Sequence, residues 1–233
     1  MVESGRKSRY DLDINAIRSI IGQGIYTLSE AARYARVPQA TATSWFKPRG
    51  DRAGLGPLFD SDYAPIDGDY AISFLNLAEV YVARFFRNEG VKPSVLREAR
   101  LKLQDELQTP YPFAHASLRT DGIRVIRDMG DSRLVDVLNN QHFIPQMKLG
   151  RFRFSSRTGL AEAWGIEPGI TIDPTINFGK PVIENTGVST LIVARQYVAN
   201  GKNAPLVARL FKLTDAGVLN AYGFETSYGR IAA

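Results

Sequence analysis

Cysteine is absent from the 233 residues. That excludes a disulfide, a thiolate nucleophile and a Cys-type zinc site, and it fits a reducing compartment. Histidine is nearly absent too: His115 and His142 are the only two. They lie in different local contexts and form neither an HExxH pair nor a close constellation with carboxylates, so each reads as structural or solvated. No apolar run approaches the roughly 20 residues that cross a bilayer, and the opening MVESGRKSRY lacks the apolar core of a signal peptide. A soluble, cytoplasmic protein without a membrane partner is expected.

Other chemistries fall on spacing. A phosphate loop needs glycines around a Lys followed by Ser or Thr, whereas Phe178-Gly179-Lys180-Pro181-Val182 has a single glycine and then a proline with no N–H to donate. That stretch reads instead as a bend feeding Val182 and Ile183 into a core. Asp60, Asp62, Asp67 and Asp69 lack the glycine and terminal Glu of an EF-hand. Ser155, Ser156 and Ser227 sit in no nucleophile elbow. No catalytic residue, metal site or cofactor is therefore expected, and an enzyme is the minority reading.

What the chain does have is a composition suited to packed domains, 44% hydrophobic and 23% charged, with 29 Lys and Arg against 24 Asp and Glu. The net charge of +5 favours anionic partners. Its distribution says more: residues 1–52 hold nine basic and five acidic side chains, and residues 53–75 hold four Asp and no base.

The apolar spacing predicts a first helix over Asp11–Ile21, stopped at Gly22 and Gly24. A second is capped by Thr27 or Ser29, with Leu28, Ala31, Ala32 and Ala35 on one face. After a turn at Val37 a third runs from about Pro38 to Phe46, and two short helices so joined are the helix-turn-helix signature. Its exposed side chains Gln39, Thr41, Thr43 and Ser44 suit base edges or phosphates, while Lys47, Arg49 and Arg52 suit flanking phosphates. Trp45 and Phe46 are expected to pack this helix on Leu28, Ala32 and the helix around Ile20.

Residues 54–74 carry Gly, Pro and Asp turn signals and predict a β-hairpin or wing. Two strong helices follow: one from Asn76 or Leu77 to Gly90 with Ala78, Val82, Phe85 and Phe86 in a stripe, and one from Pro93 with Leu96, Ala99, Leu103 and Leu107. From Pro110 to about Gly165 short strands are expected, among them a pair around Asp121-Gly122, LVDVL and GRFRFSS, although LVDVLNNQHFI reads equally as a helical turn. An extended segment then leads to three helices, the first capped by Ser189 or Thr190 and closed by Gly201. The fold class is thus α+β, mainly helical with a small β region. Three parts are expected: 1–108 as a winged helix-turn-helix, 109–165 as a β-rich connection, and 166–233 as a helical module.

The order TLSEAARYARVP, a wing, then NLAEVYVARFFRNEGVKPSVLREARLKL resembles the MerR-type winged helix over residues 25–108. The C-terminal part is similar to the antitoxin domain catalogued as domain of unknown function four hundred and thirty-three, on Ile170 to Pro174, Gly179 to Ile183, Val188 to Thr190, Gly201 to Ala208 and Val218 to Glu225. Together they look like a VapB-type antitoxin encoded beside a PIN-like ribonuclease toxin. One departure stands out: relatives commonly carry an Arg shortly after the PVI element, where this chain has Glu184-Asn185-Thr186-Gly187. The resemblance implies a PIN-like ribonuclease toxin as partner, operator DNA as ligand, transcriptional autoregulation, and a homodimer or higher toxin–antitoxin assembly. Arg195, Arg209 and Arg230 are the candidate partner-binding residues. Two rival readings stay open: a MerR-like regulator that senses a small ligand through residues 110–165, and a protein-interaction adaptor that never touches DNA.

Overall fold

The computed structural model describes residues 23–47, 56–65, 68–88, 90–119 and 151–231. The expected helix at Asp11–Ile21, the Asp121-Gly122 turn, LVDVL, Asp67, His142, Arg49 and Arg52 lie outside the described residues. Among those described, seven α-helices and two small antiparallel sheets make a mixed α+β architecture.

The chain enters through β1 (Tyr26–Thr27), followed by α1 (Leu28–Ala35) and α2 (Gln39–Phe46). Thr27 caps α1 as the sequence predicts: its hydroxyl accepts from the Glu30 N–H at 3.1 Å, and Glu30 Oε2 accepts from the Thr27 N–H at 3.0 Å. This reciprocal pair satisfies two of the free donors at the helix start. Arg36 ends α1 in the left-handed region, φ 53°, and lets the chain turn into α2.

The stretch read as a wing behaves otherwise. Trp45 and Phe46 pack on Phe59, with ring centroids 6.0 and 5.5 Å away. Phe59 itself belongs to the stretch read as a wing. The reason is burial: Leu58 and Phe59 are 2% and 0% exposed, and the Phe59 N–H donates to Trp45 O at 2.9 Å. The strand of that stretch, β2 (Ala71–Ile72), pairs antiparallel with β1. Glycine, proline and aspartate mark a turn, but they do not say which strand the chain returns to.

Helices α3 (Phe74–Asn88) and α4 (Pro93–Leu107) match the predicted apolar stripes. Between them lies the buried pair Glu79 and Arg100, Oε2 to Nη2 2.9 Å, with side chains 0% and 7% exposed. Two short 3₁₀ turns, Pro112–Ala114 and Ala116–Arg119, carry Phe113 against Phe59 and Phe86.

The second sheet has the order β3 (Phe152–Phe154), β4 (Ala161–Glu167), β5 (Ile170–Ile172), β6 (Val182–Ile183), all neighbours antiparallel. Pro168 and Gly169, the latter at φ +74°, form the two-residue turn between β4 and β5. Strand β4 spans position 165/166, where a boundary was expected, with a register shift against β5 between Trp164 and Glu167, so the central strands and the C-terminal strands share one sheet. Trp164 stacks on Phe152 at 5.3 Å and lies 4.6 Å from the Tyr81 ring, which seats this sheet on α3.

The chain closes with α5 (Thr190–Ala199), α6 (Ala204–Phe211) and α7 (Asp215–Ser227). Asn203 and Thr214 cap the last two, accepting from Leu206 N–H at 3.0 Å and Gly217 N–H at 3.1 Å. Thr190 does not cap α5. It is buried, and its hydroxyl goes to Pro181 O at 3.2 Å and to the Glu225 carboxylate.

Candidate nucleic-acid interface

Gln39 and Thr43, four residues apart, share one face of α2, and Lys47, the residue that ends the helix, follows in the same row. They line an open groove of about 460 Å³ together with Thr27, Leu28 and Ser29 at the start of α1 and Gly68 to Tyr70 opposite. Gln39 and Lys47 are exposed, and Thr43 is half-buried. The Lys47 ammonium stands over the Tyr70 ring, 5.7 Å from its centroid. Stacking of that kind holds a flexible cation at a fixed edge of the groove.

Thr41 and Ser44, also singled out on sequence, lie off this groove. The Ser44 hydroxyl donates to Thr41 O at 2.7 Å and is spent on its own helix. Asp69 is exposed on the far wall, so among the described residues a single acidic charge faces the polar helix. Tyr70 was missed on sequence. Its signal was an aromatic among turn formers, which reads equally well as core.

The partner-binding candidates separate. Arg195 and Arg209 are exposed on α5 and α6. Arg230 is turned inward with its side chain 14% exposed, Nε 3.3 Å from Glu225 Oε2. One of its terminal nitrogens donates to the Tyr34 hydroxyl at 3.2 Å. Burial lifts the Glu225 carboxyl above its ordinary value, and the Thr190 hydroxyl and Arg230 work against that. The network joins the last helix to α1, and 196 positions separate Tyr34 from Arg230.

A second tie comes from the Gly179-Lys180 bend. Lys180 Nζ is 2.7 Å from both Glu30 oxygens and 3.0 Å from Ile25 O. Burial pushes the Glu30 carboxyl up, but Lys180 and the Thr27 N–H outweigh it and hold Glu30 below the usual carboxylate range. Lys180 is thus a strut to the first helix of the pair and not a phosphate ligand. His115 accepts from the Ser117 N–H at 3.1 Å, a structural role. Among the described residues no helix is long and apolar enough to cross a membrane.

Residues 170–224 match the family described as "Protein of unknown function (DUF433)", over nearly the same stretch on which the C-terminal resemblance rests. The chain is 26% identical over 190 residues to a Mycobacterium tuberculosis protein named "Putative antitoxin VapB45", an alignment covering 70% of this chain and 78% of that protein. It also resembles the crystal structure of Rv2018 from Mycobacterium tuberculosis, with a TM-score of 0.69 and 24% identity, covering 84% of this chain and 96% of that one. That likeness establishes the fold.

Proposed function

We propose that the chain is the antitoxin of a type II toxin–antitoxin system. Its N-terminal module, MerR-like in this reading, binds operator DNA, and the remainder binds and neutralises a PIN-like ribonuclease toxin. The observation that carries the DNA half is the face of α2 made by Gln39, Thr43 and Lys47, open along one groove. The antitoxin half is supported by the name of the mycobacterial relative and by the family match over residues 170–224.

One short recognition helix buries too little surface for high specificity, so operator binding is as a dimer. A PIN-like ribonuclease gathers carboxylates for metal ions, and it is blocked either by a cation entering that site or by steric closure. Arg195 and Arg209 are the exposed cations for this task, since Arg230 is already held by Glu225 and Tyr34.

The test is to purify the chain with the product of the adjoining reading frame and assay ribonuclease activity with and without it. A stable complex with suppressed activity is expected; no complex and no loss of activity would remove the proposal. Operator binding is checked by the salt dependence of the association constant. Lys47→Ala should flatten the slope of log K against log salt by about one unit. A slope near zero in the parent chain would leave the adaptor reading.

A second reading has its own observation. A cavity of about 570 Å³ is lined by Tyr111, Arg153 and Glu162 from the region expected to sense a ligand, and by Asp62, Phe74 and Asp173 from either side. Its size and position between modules suit a small organic molecule. Operator release on ligand addition, in the absence of any toxin, would favour a MerR-like sensor.

A further inference from the structure

A smaller cavity of about 130 Å³ lies where the end of α1, the middle of α3 and strands β3 and β4 meet. Three guanidinium groups line it. Arg36 reaches Glu167 Oε1 at 2.9 Å and lies 4.8 Å from the Tyr228 ring centroid. Arg151 donates to Ile166 O at 2.9 Å and stands 3.6 Å from Glu167 Oε2. Arg84 donates to Ala35 O at 3.2 Å and covers the Phe85 ring. Among the described residues Glu167 is the one carboxylate on the lining, so three positive charges face one negative charge there.

The donor count points the same way. Guanidinium groups only donate. The Tyr228 hydroxyl already donates to Glu167 at 3.2 Å, and the Tyr34 hydroxyl accepts from Arg230, which leaves its own O–H free to donate. Trp164 also lines this cavity and is 2% exposed. Its Nε1–H is buried and has no hydrogen-bond partner among the described residues. An indole can only donate, and a buried donor without an acceptor is unfavourable. A site rich in donors, positive by two charges and walled by aromatic rings lacks one component, a group that only accepts.

We infer that this cavity binds a single oxyanion group, a phosphoryl or carboxylate, held by Arg36, Arg84 and Arg151 with the Trp164 indole N–H as a further donor. At about 30 Å³ per water the space holds roughly four waters, enough for one such group and too little for a nucleoside beside it. A larger ligand would place only its anionic end here. The occupant joins the Glu167 bridge between the first helix of the pair and the central sheet, and so sits at the seam between the modules. The inference does not depend on the antitoxin reading, and its test uses the chain alone.

The chain has two tryptophans, so a ¹⁵N-labelled sample shows two indole N–H resonances, which Trp164→Phe assigns. Inorganic phosphate is expected to shift the Trp164 signal along a saturating curve and to leave Trp45, packed on Phe59 away from the cavity, unmoved. Arg84→Gln should weaken the apparent affinity about tenfold, since charge-assisted hydrogen bonds are the strong ones. Titrations with AMP and with acetate separate the sources. A response to phosphate and AMP assigns a phosphoryl group, and a response to acetate alone assigns a carboxylate. Sodium chloride at equal ionic strength reproducing the shift, a Trp164 signal that stays in place with all three anions, or unchanged affinity in a folded Arg84→Gln chain overturns the inference. Should Arg84→Gln fail to fold, the titration of the parent chain against chloride decides.

Discussion

Arg100→Met is expected to cost about 3–5 kcal/mol of folding stability above pH 8, the range found when one member of a buried ion pair is removed. Three acceptors lie around Arg100: the two Glu79 oxygens, at 3.2–3.4 Å from Nε and 2.9 Å from Nη2, and Pro110 O at 2.7 Å. Gln104 also donates to Pro110 O at 3.1 Å, and the Phe113 N–H donates to Glu79 at 3.3 Å, so the variant chiefly strands the Glu79 carboxylate.

Burial already pushes the Glu79 carboxyl up to about 7, against the pull of Arg100. A carboxyl with a raised folded-state pKa adds stability that is full below its unfolded value and is lost as pH rises through the folded value. Removing Arg100 raises the folded value further. Parent and variant therefore lose this stability together up to about pH 7; above it the parent levels off and the variant goes on losing. At pH 5, with Glu79 protonated in both, the cost falls to about 1–3 kcal/mol for unmade hydrogen bonds. Adding Glu79→Leu to Arg100→Met should recover most of the loss at pH 8. Urea melts of the parent and both variants at the two pH values check this. Equal costs at pH 5 and pH 8, or a double variant no better than the single, would mean that the charge on Glu79 is not what Arg100 holds.

This pair shows where the sequence was legible and where it was not. The helices α1 to α4 follow from apolar spacing, from the cap Thr27 and from Pro93 at the first position of α4, because those signals are local. A Glu inside the run FLNLAEVYVARFF was the visible sign of a buried charge, but its partner lies 21 positions on, among residues that read as a surface face. Strand β4, AEAWGIE, was not singled out, since glycine in its middle and two acids break the alternation; the Pro168-Gly169 turn was the better clue. Of the seven residues read as DNA-binding, Gln39, Thr43 and Lys47 line one groove, because four-residue spacing along a helix is a local rule. Thr41 and Ser44 fall away because helix phase, not residue type, sets which side they take. Arg230 and the Arg36, Arg84 and Arg151 cluster were beyond reach. Their geometry depends on how modules far apart in the chain pack together, and no local spacing encodes that.

Gly179→Ala tests that packing at its tightest point. Gly179 stands at φ +79°, following Asn177 and Phe178, which are also left-handed at φ 49° and 55°. A Cβ in that region costs about 1–2 kcal/mol by itself. Space is the larger obstacle. The Tyr26 hydroxyl donates to Gly179 O at 2.8 Å, and a methyl group at residue 179 would overlap that hydroxyl and stand 3.2 Å from Gly24 Cα. Tyr26 cannot move aside easily, being 0% exposed and packed edge-on to Tyr34 at 6.2 Å. Forcing the two apart loses the hydrogen bond, about 1 kcal/mol, and adds about 1–3 kcal/mol of overpacking. The expected total is about 3–6 kcal/mol, and it should appear as easier proteolysis between the C-terminal helices and α1, because Lys180 and its contact with Glu30 follow directly on the bend. Tyr26→Phe supplies the control. Without the hydroxyl, Gly179→Ala should cost less than it does in the parent chain, though not nothing, because the ring carbon behind the hydroxyl is 2.9 Å from the added methyl. A cost below about 1 kcal/mol in the parent, less than the backbone strain alone, would show that the Gly179 bend is not what holds the family-matched segment on α1.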